Sequence, residues 1–245
     1  MKTLIIIQAR MTSTRLPGKI LKAVAGQSLL AHQLERLRRV PNADGIVVAT
    51  TINDADQPIV DLCEVLGVPV SRGSEADVLS RYAEAAQAHG ADAVVRITSD
   101  CPLIDPAVVA EVIAFYQAHV GSYDYVSNTL DRTYPRGLDV EVFSANVLAQ
   151  AHREATQPEE REHVTPFLYR HPERFRLAQV KQAENHAGER WTVDTPEDFE
   201  LIRRILEALY PVNPQFHQAD VLALLDANPD WRALNAEIVQ KPVLG

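Results

Sequence analysis

Short apolar runs and helix-spaced apolar residues take turns along the first half of this chain. "LIII" at 4–7 is a continuous run too short for a helix and reads as a buried strand. Leu30, Leu34 and Leu37 then recur at i, i+4 and i+7, with Ser28 placed to cap a helix. A turn at 41–45 leads into "IVVAT" at 46–50, a second buried strand. Ile59, Leu62, Cys63 and Leu66 share one helical face over 58–66, and Gly67 suits the left-handed position that ends it. "VPV" at 68–70 predicts a short strand, 75–88 an alanine-rich helix stopped by Gly90, and "AVVRI" at 93–97 another strand. Pro106 opens a helix that runs to about His119. This repetition predicts a doubly wound α/β fold with a mainly parallel sheet and helices on both faces.

The pattern then changes. Residues 124–128 and 137–143 alternate like strands, 144–155 and 158–171 read as helices, and 174–180 alternates again. "RWTV" at 190–193 predicts a short strand, and Pro196 a helix carrying Phe199, Ile202, Ile205, Leu206 and Leu209. Val221, Leu222, Leu224 and Leu225 mark a further amphipathic helix, followed by a tail. With no Gly/Ser-rich linker, internal repeat or low-complexity stretch, residues 1–245 read as one domain with a mixed-strand insertion at about 122–185.

Composition narrows the function. Apolar residues make up 46% of the chain, enough for a sizeable core. No stretch approaches the roughly 18–20 apolar residues of a membrane span, and the N-terminus lacks the apolar length of a signal peptide. Two distant cysteines, Cys63 and Cys101, argue against a zinc site or disulfide framework. A cytoplasmic location is the expectation. A net charge of −9 disfavours nucleic acid and anionic membrane as partners.

Against that acidic background, "QARMTSTRLPGK" at 8–19 holds two arginines and a lysine but no acid. Open parallel sheets bind ligands beyond the carboxyl ends of their strands. The segments in that position are 8–19, 50–56, 71–77 and 98–105. In the first, Arg10, Arg15 and Lys19 supply positive charge, Thr12, Ser13 and Thr14 supply hydroxyls, and Gly18 permits close backbone approach. That chemistry suits a polyphosphate, or else a solvated basic loop. Neither the Walker pattern nor the dinucleotide glycine fingerprint occurs. Asp100, in "RITSDCPLIDP", sits where a carboxylate can share Mg²⁺ with phosphates, or serve a turn. Asp105 reads as a helix cap. Asp194, in "RWTVDTPEDFE", could join Asp100 at a metal or belong only to the capping turn of Thr195 and Pro196.

"IIIQARMTSTRLPGKIL", "RGSEADVLSRY", "VRITSDCPLIDP", "YPRGLDVEVF", "REHVTPF" and "WTVDTPEDFE" resemble, in order, the blocks of the spore-coat polysaccharide biosynthesis protein F family. That family is a sister branch of the CMP-sialate and CMP-3-deoxy-manno-octulosonate synthetases. The resemblance implies a Rossmann-like nucleotidyltransferase fold of the glycosyltransferase-A type. It implies CTP as co-substrate, its triphosphate held by Arg10, Ser13, Arg15, Gly18 and Lys19, and Mg²⁺ on Asp100 and Asp194. It implies Gln8, Ala9, Thr50, Arg72 and Ser74 around the base, and a homodimer paired through the insertion. The second half departs from the sialate and octulosonate enzymes, so the acceptor need not be theirs. Arg136, Asp139, Glu141, Glu162 and His163 are its candidate contacts, with Arg136 matched to an acidic acceptor and His163 either a base or a polar helix position. Two alternatives stand beside this reading: a glycosyltransferase using a nucleotide sugar, and a non-catalytic nucleotide-binding protein. The glycosyltransferase reading wants an Asp-x-Asp metal motif, and the one instance, Asp54-Ala55-Asp56, follows the second strand and reads as a helix start.

Overall fold

Alternate residues of the first strand feed two separate cores. In β1 (Thr3–Gln8), Ile5 and Ile7 pack into one apolar cluster and Leu4 and Ile6 into the other. Such two-sided burial requires helices on both faces of the sheet. The computed structural model describes residues 1–239. A short hairpin, β2 (Ala23–Val24) and β3 (Gln27–Ser28), escapes the sequence reading and leads into α1 (Leu29–Leu37). Ser28 caps α1 by accepting from the Ala31 amide at 3.2 Å. Then come β4 (Gly45–Thr51), α2 (Gln57–Leu66), β5 (Val70–Gly73), α3 (Val78–Ala88), β6 (Ala93–Thr98) and α4 (Pro106–Ala118).

The second half contributes β7 (Tyr125–Ser127), β8 (Glu141–Ser144), α5 (Ala145–Glu154), α6 (Pro158–His163), α7 (Pro166–Tyr169) and β9 (Leu177–Gln179). It closes with α8 (Pro196–Leu209), α9 (Gln218–Ala227) and α10 (Pro229–Arg232). One seven-stranded sheet results, in the order β5-β4-β1-β6-β8-β7-β9. The run β5-β4-β1-β6 is parallel, and β8 pairs antiparallel with both β6 and β7. The fold is α/β with a mainly parallel sheet. Strand order reverses between β1 and β6, which is where a crevice forms in such sheets.

Several boundaries differ from the sequence reading for local reasons. The strand expected at 68–70 starts at Val70, because the Val68 amide is spent on the Cys63 carbonyl that ends α2. The helix expected from 75 starts at Val78, where Asp77 accepts from the Ser80 amide. The strand expected at 137–143 starts only at Glu141. Before it, the Asn128 side chain bonds the Leu138 carbonyl and the Val140 amide, replacing a ladder. The helix expected over 158–171 splits, because Val164 adopts φ 71° and Pro166 restarts the chain. The strand expected at 174–180 shrinks to β9, and that at 190–193 to a single bridge between Arg190 and Arg136. The expected tail contains α10, and its last part, 240–245, lies outside the described residues.

Candidate active site

The loop after β1 is folded by its own backbone. Gly18 and Ser13 both donate their amides to the Met11 carbonyl, at 3.0 and 2.9 Å. The Met11 amide in turn donates to Asp56 at 2.6 Å, and Asp56 also accepts from the Thr51 hydroxyl. The Asp-x-Asp segment therefore tethers this loop, with Asp56 buried inside the protein. Thr12 and Asn53 both donate to Glu75, which lies 3.9 Å from Arg10.

Lys19 is where the distant segments meet. Its ammonium donates to Asp194 at 2.8 Å and to Asp100 at 3.4 Å. Arg15 reaches the other Asp194 oxygen at 3.0 Å. Burial opposes the charge on Lys19, but Asp100 and Asp194 outweigh it and raise its pKa above the ordinary value. Asp194 is likewise buried, yet Lys19, Arg15 and Arg190 hold its carboxyl below the usual range. The two aspartates, 94 residues apart in sequence, converge because the Asp100 carbonyl accepts from the Val193 amide at 2.8 Å and the Thr192 hydroxyl at 3.2 Å.

These groups line a cleft of about 900 Å³. Seven cationic and five acidic side chains line it, so the cleft is net positive in an acidic protein. Elsewhere on its wall the Arg96 guanidinium pairs with Glu141 and donates to the Gln8 amide oxygen at 3.0 Å. Glu141 also accepts from Tyr125 and Thr165, both at 2.6 Å. Arg132 grips Asp139 with two nitrogens, the longer bond 2.9 Å. Arg136 has no ion-pair or side-chain hydrogen-bond partner among the described residues. Burial and the neighbouring Arg132 lower its pKa, which marks an uncompensated cation. His163 titrates below its ordinary value because it is half-buried, so its imidazole is neutral at neutral pH.

Of the residues named from sequence, Gln8, Ala9, Arg10, Ser13, Arg15, Lys19, Asp100 and Asp194 line the cleft, as do Arg136, Asp139, Glu141, Glu162 and His163. Gly18 does not line it; its amide closes the loop on the Met11 carbonyl. Thr50, Arg72 and Ser74 do not line it. Thr50 is fully buried, Arg72 donates to the Thr51 and Asn53 carbonyls and to Gln57, and Ser74 accepts from Asp77 and Arg81. Sequence reasoning missed Arg81, Arg96 and Arg132. An arginine inside the apolar run "AVVRI" was the available signal for Arg96, since a charge in a buried strand needs a purpose.

Residues 4–223 match the family model described as cytidylyltransferase. The chain is 32% identical to the spore coat polysaccharide biosynthesis protein SpsF of Bacillus subtilis, covering 93% of this chain and 95% of that protein. Among solved structures, a cytidylyltransferase from Leptospira borgpetersenii superposes with a TM-score of 0.91 at 31% identity, covering 99% of this chain and all of that one. A CMP:2-keto-3-deoxy-manno-octonic acid synthetase complexed with CTP shares the fold, with a TM-score of 0.66 at 18% identity over 85% of this chain and 99% of that one.

Proposed function

The chain belongs to the cytidylyltransferase family, and from that premise we propose that it transfers CMP from CTP to an acidic sugar or related acceptor, releasing pyrophosphate. Surface polysaccharide or glycoconjugate assembly is the process this would serve. The observation that carries the acidic acceptor is Arg136, an unpartnered, half-buried guanidinium lining the same cleft as Lys19. A carboxylate or phosphate is the ligand such a group lacks.

In the proposed reaction the triphosphate lies along Arg10, Ser13, Arg15 and Lys19. An acceptor hydroxyl or phosphate oxygen attacks the α-phosphorus in line, the bond to the β-phosphate oxygen breaks, and pyrophosphate leaves. Lys19, Arg10 and Arg15 offset the charge that gathers on the leaving group. The neutral imidazole of His163 faces the acceptor as a hydrogen-bonding group. Asp100 and Asp194 would hold Mg²⁺: two carboxylates converging beside phosphate-binding cations form the oxygen donor set that this ion shares with nucleotide phosphates. When bound, Mg²⁺ supplies charge neutralisation and lowers the pKa of a coordinated nucleophile. Positioning along the cleft can supply roughly 7–11 kcal/mol.

The proposal includes a homodimer joined through the insertion, where Val120 and Leu130 expose apolar surface at or beside its start. Light scattering that gives only a monomer mass removes that part. A cytoplasmic location fits the two unpaired cysteines. The acceptor is tested by phosphorus NMR after incubation with CTP, Mg²⁺ and matched pairs of acidic and neutral sugars. A new CMP phosphodiester resonance should form with an acidic member only, and Arg136→Met should raise the acceptor KM at least tenfold. Equal turnover of neutral partners would remove the acidic acceptor.

A further inference from the structure

The orientation of Asp194 is set from behind. Asp198, one turn into α8, is fully buried, and its carboxylate collects five donors. One oxygen, Oδ2, accepts from the Asp194 and Thr195 amides at 3.0 and 3.1 Å, as a capping-box residue would. Capping does not account for the other, Oδ1. It accepts from Arg190 Nε and from the Asn235 amide, both at 2.8 Å. Arg190 Nη2 then divides between Asp198 at 2.9 Å and Asp194 at 3.0 Å. Held flat by Asp198, the guanidinium presents one edge to Asp194, on the side away from Lys19.

Asn235 comes from the C-terminal segment yet is only 5% exposed. Its Nδ2 donates to the Arg190 carbonyl at 3.0 Å as well as to Asp198. The segment is drawn there by Arg232, which bonds Glu189 at 2.7 Å, and by Arg204, whose guanidinium stacks 5.7 Å from the Trp231 ring. A buried ion pair loses its balance when one member goes unsatisfied. The contacts of Asn235 therefore bear on Arg190 and, through it, on Asp194.

We propose that Asp198 and Asn235 are positioning residues that act through Arg190 to aim the Asp194 carboxylate at Lys19, which makes the C-terminal segment part of the active site. The proposal rests on the cytidylyltransferase reading above. Outer partners of this kind typically change affinity or activity by about 10- to 100-fold when lost.

Two variants of Asn235 and one control decide it. Asn235→Ala removes the donor and volume together, whereas Asn235→Asp keeps the shape and puts an acceptor where the donor was. Both should lower kcat about 10- to 100-fold and raise the Mg²⁺ concentration for half-maximal rate, with the CTP KM at saturating Mg²⁺ within about threefold of the parent. Val221→Ala, a core truncation in α9, should lower Tm while leaving kcat unchanged. Wild-type kcat and Mg²⁺ dependence in Asn235→Asp would overturn the proposal. Crystal structures of the parent and Asn235→Ala give a readout free of turnover: the Lys19–Asp194 contact should be lost in the variant. If the parent releases no pyrophosphate, the functional reading fails, and the crystal structures still decide the geometry. An intact contact in the variant would overturn the positioning role.

Discussion

At the scale of single residues, Lys19 carries the argument. It is the one described cation that touches both Asp100 and Asp194, and it starts the turn that ends the phosphate-type loop. Loss of one oriented donor to a developing charge costs about 2.7–4 kcal/mol. Lys19→Ala should therefore cut turnover about 10²- to 10³-fold with the fold intact by circular dichroism, and an unchanged rate would remove Lys19 from the mechanism. Asp198 makes a separate prediction about acid. Burial works against its carboxylate, but Arg190 and Asn235 outweigh it and depress its pKa. A depressed carboxyl stabilises the fold fully above its unfolded value of about 4, and that stability is lost as pH falls through the folded pKa. Urea midpoints measured at stepped pH values below 4 should fall more steeply for the parent than for Asp198→Asn; parallel curves would contradict the assignment. The loop cations and both aspartates were legible because charge stands out beside an apolar strand end. Asn235 was not, since a neutral amide in a polar tail carries no signal until the fold brings it to Arg190.

At the scale of elements, what matters is how short segments are pinned together. The segment around 136–139 runs against 189–193: the Arg136 amide donates to the Glu189 carbonyl and the Trp191 amide to the Arg136 carbonyl. Gly137 sits between them at φ 106°, where a Cβ would come within 2.7 Å of the Trp191 backbone. Only glycine fits such a contact. Gly137→Ala should destabilise the protein by about 1–3 kcal/mol and push Arg136 away from the cleft. Calorimetry and the acceptor KM would show it, and a parental Tm with a parental KM would refute the packing argument. Helix starts were legible at Ser28, Asp105 and Thr195, where a cap stood ready, but not at Asp77, whose cap starts α3 three residues later than expected. The split between α6 and α7 was not. Its cause is a positive φ at Val164, a β-branched residue that sequence gives no reason to place there. The two-residue strands β2 and β3 also escape periodicity, because two residues contain no period to read.

At the scale of the whole molecule, sheet order decides which strand-end loops form the site. The loops after β1 and β6 flank the point where strand order reverses, and they contribute Lys19 and Asp100. β5 lies at the sheet edge, two strands from β1, and Arg72 on it turns back onto the loop after β4. That is why Arg72 and Ser74 are absent from the cleft wall although they follow a strand, a distinction alternation alone does not carry. Charge is arranged at this scale too: the chain carries a net −9, while its cleft is net positive. Such a field favours anionic ligands, which is what the proposed reaction asks of the crevice. The central claim is that this crevice moves CMP from CTP to an acidic acceptor. Pyrophosphate release, measured across the four nucleoside triphosphates with a panel of sugar acids, sugar phosphates and phosphonates, tests it most directly. Release should require CTP, an acidic acceptor and Mg²⁺ together, and should fall about 10²- to 10³-fold in Lys19→Ala. No release with any acceptor, or equal release from all four triphosphates, would contradict it.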